Sequence, residues 1–247
     1  PRYVWLETNE SIQIKSIQKI ILNDEKLLVV HSDRLSLFDK DGKYKYDIGE
    51  KGEEKGKYQR MFGVVLRNDT LFVVDGNYDF TLYNWQGEYL GKRFQPKIRH
   101  TVDFFLVPNT DLFLGHVDNF TGQKKVRFVF FQDTTAIKTI PVTEKLEPAS
   151  PMVVYSIPSE MKSFDGLVPA FKETFNDTIY QVDENLNLIP YAVVELGKYK
   201  ATKEAMFACT AEQLMKKWDF FNGKIALTAV GEKDGIIYLA HHDVTDP

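Results

Sequence analysis

The sequence has one cysteine, five histidines and no long apolar run, and each scarcity narrows what the protein can be. With Cys209 alone, no disulfide can form within the chain, which fits a reducing compartment or a bacterial envelope protein that relies on its core. No apolar stretch approaches the roughly 20 residues that a membrane-spanning helix needs. The chain opens at Pro1 without an initiator methionine or a signal peptide. We therefore expect a targeting segment to have been removed, and that segment could have carried a lipid anchor.

An excess of charge of one sign is also missing. The net charge is −4, and the 31 basic residues are scattered along the chain rather than gathered in a stripe. A nucleic-acid-binding surface is strongly positive, so we expect no nucleic-acid partner. Aromatic residues are plentiful by contrast, with 18 Phe and 12 Tyr. Such side chains favour β-strands because they pack well on a pleated surface.

The main signal is an internal repeat. Residues Ile21–Tyr46 align with residues Leu66–Gly91 at an offset of 45. Each unit contains a polar turn, an apolar strand, a second apolar strand and a glycine turn, which is the pattern of successive hairpins. The aligned pairs are Asn23-Asp24 with Asn68-Asp69, Val29 with Val74, Leu37-Phe38 with Leu82-Tyr83, Gly42 with Gly87, and Tyr44 with Tyr89.

Two later units follow this pattern with more variation. Phe38, Tyr83, Phe131 and Val182 mark the same point in four units, at spacings of 45, 48 and 51 residues. A propeller blade has roughly 40–50 residues, so the spacing predicts an all-β protein: a β-propeller of four-stranded antiparallel blades in a single domain, residues 1–247. We expect blades at residues 14–49, 60–94, 100–141 and 152–196, and part of a fifth at 220–247.

Further elements are predicted at finer scale. In the first blade we expect strands near Ile17–Leu22, Lys26–His31, Arg34–Asp39 and Tyr44–Ile48. One short helix is predicted at Lys203–Trp218, where apolar residues recur at helical spacing. The segment Tyr3–Leu6 could supply a strand that completes the last blade.

Four segments resemble a known family. They are Trp5–Glu10, Leu35–Lys43, Lys172–Tyr180 and Glu195–Tyr199, and their order and spacing are similar to those of the six-bladed, NHL-like propeller proteins of Bacteroides-type bacteria. The resemblance implies six blades, an exported protein that is often anchored as a lipoprotein, and no established enzymatic activity. It places the protein in the periplasm, on the outer membrane or outside the cell. The loop Gly49–Tyr58 departs from the family pattern because it lacks a proline.

A binding surface is expected on the face that carries the longer, more polar loops, because binding residues concentrate on loops held by a rigid scaffold. These loops are Gly49–Arg60, Pro96–Thr101, Val117–Gln123, Pro141–Pro151 and Gly197–Phe220. The candidate ligand-binding residues are Glu53, Lys55, Tyr58, Arg60, Tyr78, His100 and Phe120. Aromatic residues near turns, Trp85 and Trp218 among them, could also form a sugar-stacking platform, although packing is their commoner role.

No set of residues indicates catalysis, a metal or a cofactor. His241 and His242 are adjacent on a strand, so their rings point to opposite faces and are not placed to chelate together. His31, His100 and His116 could lie near strand ends and point into a central channel, but structural histidines are commoner than zinc ligands. No Gly-x-Ser-x-Gly, Gly-x-Gly-x-x-Gly or Walker-type motif is present.

The sequence therefore predicts a non-enzymatic binding or scaffolding propeller of the bacterial cell envelope, whose ligand is a protein, a peptide or a glycan. An alternative is a propeller hydrolase or lyase acting at the mouth of the central channel. A third is a purely structural segment of a larger protein. We expect no cofactor, no metal and no transmembrane segment.

Overall fold

The computed structural model describes residues 3–10, 12–23, 25–31, 34–98, 104–107, 109–117, 124–143, 162–164, 170–172, 176–201, 223–233 and 236–243. The chain divides into two compact units, Pro1–Lys97 and Ile98–Pro247. Each unit is built from antiparallel sheets whose strands follow one another in chain order.

The first unit contains two four-stranded sheets. The first sheet consists of β1 (Ile17–Asn23), β2 (Lys26–His31), β3 (Arg34–Asp39) and β4 (Tyr44–Asp47). The second consists of β5 (Met61–Arg67), β6 (Thr70–Asp75), β7 (Phe80–Asn84) and β8 (Tyr89–Phe94).

The second unit contains two further four-stranded sheets and a hairpin. The third sheet consists of β9 (Phe104–Leu106), β10 (Phe113–His116), β11 (Val126–Gln132) and β12 (Thr135–Pro141). The fourth consists of β13 (Lys162–Phe164), β14 (Ala170–Lys172), β15 (Thr178–Val182) and β16 (Leu188–Val193). After a short 3-10 helix, Gly197–Tyr199, β17 (Ile225–Lys233) and β18 (Ile236–Asp243) form a two-stranded sheet.

The prediction of an all-β propeller with four-stranded antiparallel blades is confirmed. The expectation of six blades is wrong for this chain, because its described residues form four blades and one hairpin. The predicted strand at Tyr3–Leu6 is also wrong: residues 3–9 run across the turn that joins β3 and β4, and the amide of Glu7 donates to the carbonyl of Gly42 at 2.8 Å. The predicted helix at 203–218 lies outside the described residues, and the single domain stays a prediction.

Strand alternation explains the core of the first unit. Along β2, Leu28 and Val30 point to one face of the first blade and Val29 points to the other. The first face packs against the second blade, in one cluster of Leu28, Val30, Leu35, Leu37, Val64, Leu71, Val73, Tyr83 and Trp85. The opposite face is covered by Leu6, Ile12 and Ile14, which pack on Val29 and Phe38. Each fully buried aliphatic side chain in these clusters contributes about 1.5–3 kcal/mol.

The second unit follows the same rule with larger rings. Phe105, Leu114, Phe128 and Phe130 of the third blade form one cluster with Phe171 of the fourth. The ring of Phe171 lies 5.4 Å from that of Phe128 and 5.5 Å from that of Phe105, between centroids. Aromatic pairs at this separation attract each other beyond their burial, which explains the phenylalanine content of these strands.

A turn of one type recurs at the hairpins. The side chain of Asp39, at the end of β3, accepts hydrogen bonds from the amides of Asp41 and Lys43, both at 3.0 Å. Asn84 and Asp183 accept the corresponding bonds in the β7–β8 and β15–β16 hairpins. The fourth residue of each turn has a positive φ, and it is Gly42, Gly87 or Leu186. Glycine suits this position because it has no Cβ to clash, and Leu186 packs its side chain into the Phe171 cluster.

Strand pairing corrects the alignment of the first repeat by one residue. Asn23 pairs with Lys26 and Arg67 pairs with Thr70, so Asn23 corresponds to Arg67 at an offset of 44. Between β3 and β7 the offset is 45, because the β6–β7 turn has one residue more than the β2–β3 turn. His31 therefore corresponds to Asp75.

Candidate ligand-binding site

The turn between β6 and β7 carries the most elaborate polar arrangement of the second blade. Its sequence is Asp75-Gly76-Asn77-Tyr78-Asp79, and it has the same turn geometry as the hairpins above. Oδ1 of Asp75 accepts from the amide of Asn77 at 2.9 Å and from the amide of Asp79 at 3.2 Å. The amide of Tyr78 donates to the carbonyl of Asp75 at 2.8 Å. The turn is thus fixed from within by one carboxylate.

The same carboxylate also holds an arginine. Asp75 is fully buried, and its Oδ2 lies 3.1 Å from Nη2 of Arg93 on β8. That Nη2 also contacts Oδ2 of Asp79 at 2.8 Å. A buried charge is tolerated only when it is paired and hydrogen-bonded, and Asp75 meets both conditions. The positive charge of Arg93 is thereby matched by two carboxylates.

Around this turn, five side chains form a surface that we call the blade-2 platform: Gln59, Arg60, Phe62, Asn77 and Tyr78. Tyr78 is half-buried, and its ring meets that of Phe62 edge-on, with centroids 6.4 Å apart. The guanidinium of exposed Arg60 lies over the Phe62 ring at 5.2 Å. Nδ2 of Asn77 donates to Oε1 of Gln59 at 3.3 Å. Rings, amides and one cation are therefore presented together.

Tyr78 adopts φ 64, in the left-handed region that most non-glycine residues avoid. That conformation costs a non-glycine residue about 1–2 kcal/mol. Strained residues cluster at functional positions, and an observed outlier supports a functional hypothesis. Tyr78 occupies the position that glycine fills in two of the three hairpin turns.

The first blade carries a related network in which the charges are reversed. Arg34, at the start of β3, forms an ion pair with Asp47 on β4, and Nε of Arg34 donates to Oδ2 of Asp47 at 2.8 Å. By strand pairing, Arg34 corresponds to Asp79 and Asp47 corresponds to Arg93. At equivalent positions the two blades therefore carry side chains of opposite charge, and in each blade the two side chains form an ion pair.

His31 belongs to this network. Its Nε2 lies 2.8 Å from Oγ of Ser36, which in turn donates to Oδ1 of Asp47 at 2.6 Å. Burial, and then the nearby Arg34, lower the pKa of His31 below its ordinary value. Ser36 is fully buried, and its proton is engaged by Asp47. The three side chains consequently form an internal hydrogen-bond chain, and Ser36 is not presented as a nucleophile.

The predicted site residues fall into separate groups. Arg60 and Tyr78 come together on the blade-2 platform. Glu53 and Lys55 are exposed on the preceding loop, whose Lys57 pairs with Glu50 at 3.0 Å and with Glu54 at 3.5 Å. His100 and Phe120 lie outside the described residues.

Tyr58, a predicted ligand-binding residue, lies in the core. Only 2% of Tyr58 is exposed, and its ring packs edge-on against Tyr83. The hydroxyl of Tyr83 donates to the carbonyl of Gly56 at 2.8 Å, and burial raises its pKa, so it remains a donor. Trp85, a candidate for sugar stacking, is likewise buried in the cluster between the first two blades.

The histidines do not form a metal site among the described residues. His31 lies in the network above, and His116 ends β10 with its ring edge-on to Phe128 at 5.2 Å. Within the described ranges, no group of three or more His, Cys, Asp or Glu residues is placed to hold a metal ion. Nor does that part of the chain contain a helix long and apolar enough to cross a membrane.

Asp75 and Arg93 are not among the site residues predicted from the sequence. The available signal was the Asp-x-Asn-x-Asp pattern of residues 75–79, which matches the turn signature at Asp39 and Asp183 but follows a second strand rather than a third. Asn and Asp favour turns because their side chains bond to nearby backbone amides. The partner on β8 has no such local signature.

The fold and this site define a β-propeller protein with a polar and aromatic loop surface on its second blade. The chain belongs to the family described as "Domain of unknown function (DUF4934)", whose model matches residues 1–244. No curated protein matches the chain at a significant level.

Solved structures resemble the chain in fold. A predicted exported protein from Bacteroides fragilis has 17% identity and a TM-score of 0.74, and the likeness covers 99% of this chain and 70% of that one. Virginiamycin B lyase from Staphylococcus aureus has 12% identity and a TM-score of 0.49, covering 89% and 61%. A DUF4221 member from Bacteroides vulgatus has 11% identity and a TM-score of 0.49, covering 77% and 60%.

Proposed function

We propose that the protein is a non-enzymatic binding or scaffolding propeller of the bacterial cell envelope, and that the blade-2 platform contacts its ligand. The ligand is a protein, a peptide or a glycan. The observation that carries this proposal is the strained backbone of Tyr78, which presents a ring beside Phe62 and Arg60.

The rigidity of the turn supports a binding role. Asp75 fixes the turn through two backbone amides, and Arg93 fixes Asp75. A side chain that is held before binding loses little conformational freedom when the ligand arrives, and this favours affinity. The backbone of Tyr78 is held in this way, and its ring is in edge-on contact with that of Phe62.

The proposed location rests on the likeness to the predicted exported protein of Bacteroides fragilis. An envelope propeller would lie in the periplasm, on the outer membrane or outside the cell. Labelling of intact cells with a membrane-impermeant reagent, followed by detection with an antibody, tests whether the protein is exposed on the cell surface.

Binding is tested by screening the purified chain on peptide arrays and on glycan arrays beside the variant Tyr78→Ala. We expect wild type to bind at least one ligand class, Tyr78→Ala to lose that binding with an unchanged circular dichroism spectrum, and the ligand to be recovered intact. Tyr199→Ala is the matched control, because Tyr199 is exposed elsewhere in the chain.

Two results would count against the proposal. Equal binding by Tyr78→Ala would move the contact away from the blade-2 platform. Shortened or unsaturated products in the recovered ligand would instead support a hydrolase or lyase.

A further inference from the structure

We infer that the ligand of the blade-2 platform is a glycan that bears carboxylate groups, of the uronate class. This rests on the proposed function and specifies the ligand of the same surface. Three observations carry it: the use of the turn's backbone donors, the kinds of side chain presented, and the charge of Arg60, which has no carboxylate partner among the described residues.

The backbone amides of the turn already donate hydrogen bonds within the protein. The amide of Gly76 donates to the carbonyl of Arg60 at 2.8 Å, and the amides of Asn77, Tyr78 and Asp79 all donate to Asp75. A peptide that adds as a strand, or an anion held in a nest of amides, requires backbone donors that are unused. Hydrogen-bond donors to a ligand at this turn must therefore come from side chains.

The side chains suit a sugar. A pyranose ring has an apolar C–H face that packs on an aromatic ring, and hydroxyl groups at its rim that bond to amides. The blade-2 platform offers the ring of Tyr78 with the amides of Asn77 and Gln59 beside it. Amide side chains both donate and accept, which matches hydroxyl groups. Nε2 of Gln95 supports this edge by donating to the carbonyl of Asn77 at 2.6 Å.

The positive charge of Arg60 favours a sugar that carries a carboxylate. Arg93 is matched by Asp75 and Asp79, so it contributes little net charge. Arg60 is exposed, and within the described residues it has no carboxylate partner. A guanidinium is suited to a carboxylate because it donates two parallel hydrogen bonds. A uronate whose ring lies on Tyr78 could place its carboxylate at Arg60.

The inference is tested by isothermal titration of the purified chain with short galacturonate, glucuronate-containing and mannuronate oligosaccharides. Each is paired with its carboxyl-reduced counterpart. We expect at least one acidic oligosaccharide to bind, and its reduced form to bind at least about 10-fold more weakly, since a charged hydrogen bond contributes that much. Arg60→Ala should abolish this preference, and Lys40→Ala, an exposed cation in the first blade, should leave it unchanged.

Tyr78→Gly separates binding from folding, because it removes the ring and relieves the backbone. We expect about 5-fold or greater loss of affinity from the lost stacking, with a melting temperature no lower than that of Tyr78→Ala. Binding of neutral glycans or peptides in a Tyr78-dependent manner would overturn the uronate inference and leave the proposed function standing. Binding that does not depend on Tyr78 or Arg60 would overturn both.

Discussion

The buried carboxylate of Asp75 offers a test in which each energetic part can be separated. In Asp75→Ala, the amides of Asn77 and Asp79 lose their acceptor, and Arg93 loses one of its two carboxylates. An unsatisfied backbone amide costs about 1 kcal/mol or more, and a charged hydrogen bond contributes about 1.5–3 kcal/mol. We expect Asp75→Ala to lower the free energy of unfolding by about 4 kcal/mol.

Asp75→Asn keeps the turn and removes the charge. An asparagine can form this turn, because Asn84 accepts the equivalent bonds in the β7–β8 hairpin at 3.0 and 2.9 Å. The side-chain amide group of the introduced asparagine would instead face the Arg93 guanidinium, donor against donor. We expect a loss of about 2 kcal/mol, near half that of Asp75→Ala.

The assay is urea denaturation followed by circular dichroism, with linear extrapolation to zero denaturant. Asp39→Ala is the matched control, because Asp39 makes the same turn bonds and pairs with Lys45 at a partly exposed position, so its replacement should cost clearly less than that of fully buried Asp75. If Asp75→Ala cost no more than Asp39→Ala, burial would not decide the strength of these turns. If Asp75→Asn cost as much as Asp75→Ala, the backbone bonds would contribute nothing.

Three more outcomes are expected. Arg34→Asp and Asp47→Arg should each destabilise the first blade by about 1 kcal/mol, because each places two like charges at a partly exposed pair. In urea denaturation, the double variant should recover most of that loss. If the double variant lost as much stability as the single variants, the idea that the pair can form with either charge arrangement would be contradicted. Since the pKa of His31 is lowered in the folded protein, the unfolded chain binds its proton first, so stability should fall as pH drops below about 6.5. His31→Gln should remove that part of the pH dependence, and identical pH profiles would contradict it. At φ 64, Tyr78→Gly should be more stable than Tyr78→Ala by about 1 kcal/mol; the ordinary order, with alanine the more stable, would show that the backbone relaxes.

The repeat could be predicted because its signals are local. In the first blade, β2 and β3 have the predicted bounds, and β1 and β4 differ from theirs by one residue each. Glycine at positive φ marks the hairpin turns at Gly42 and Gly87, and polar residues beside it mark the same turns. Such features depend on a few consecutive residues, so sequence displays them directly.

The candidate site could be predicted only in part, because burial depends on the neighbouring blade. Tyr58 lies in a polar loop, yet it is buried because its ring packs against Tyr83 on β7. The partnership of Asp75 with Arg93 joins residues on different strands of the blade, and no local pattern indicates it. The one-residue insertion in the β6–β7 turn further hid the correspondence between His31 and Asp75.

The turns led by Asp39, Asn84 and Asp183 bear on the order in which the chain folds. Each closes a hairpin within five residues, and closing so short a loop costs little chain entropy. Hairpins of this kind form in about 1–10 μs, long before contacts between distant strands. Each blade can therefore assemble from its own segment of chain, and the aromatic clusters that join neighbouring blades form later. Substitutions in these turns should slow refolding, whereas substitutions in the clusters should mainly speed unfolding.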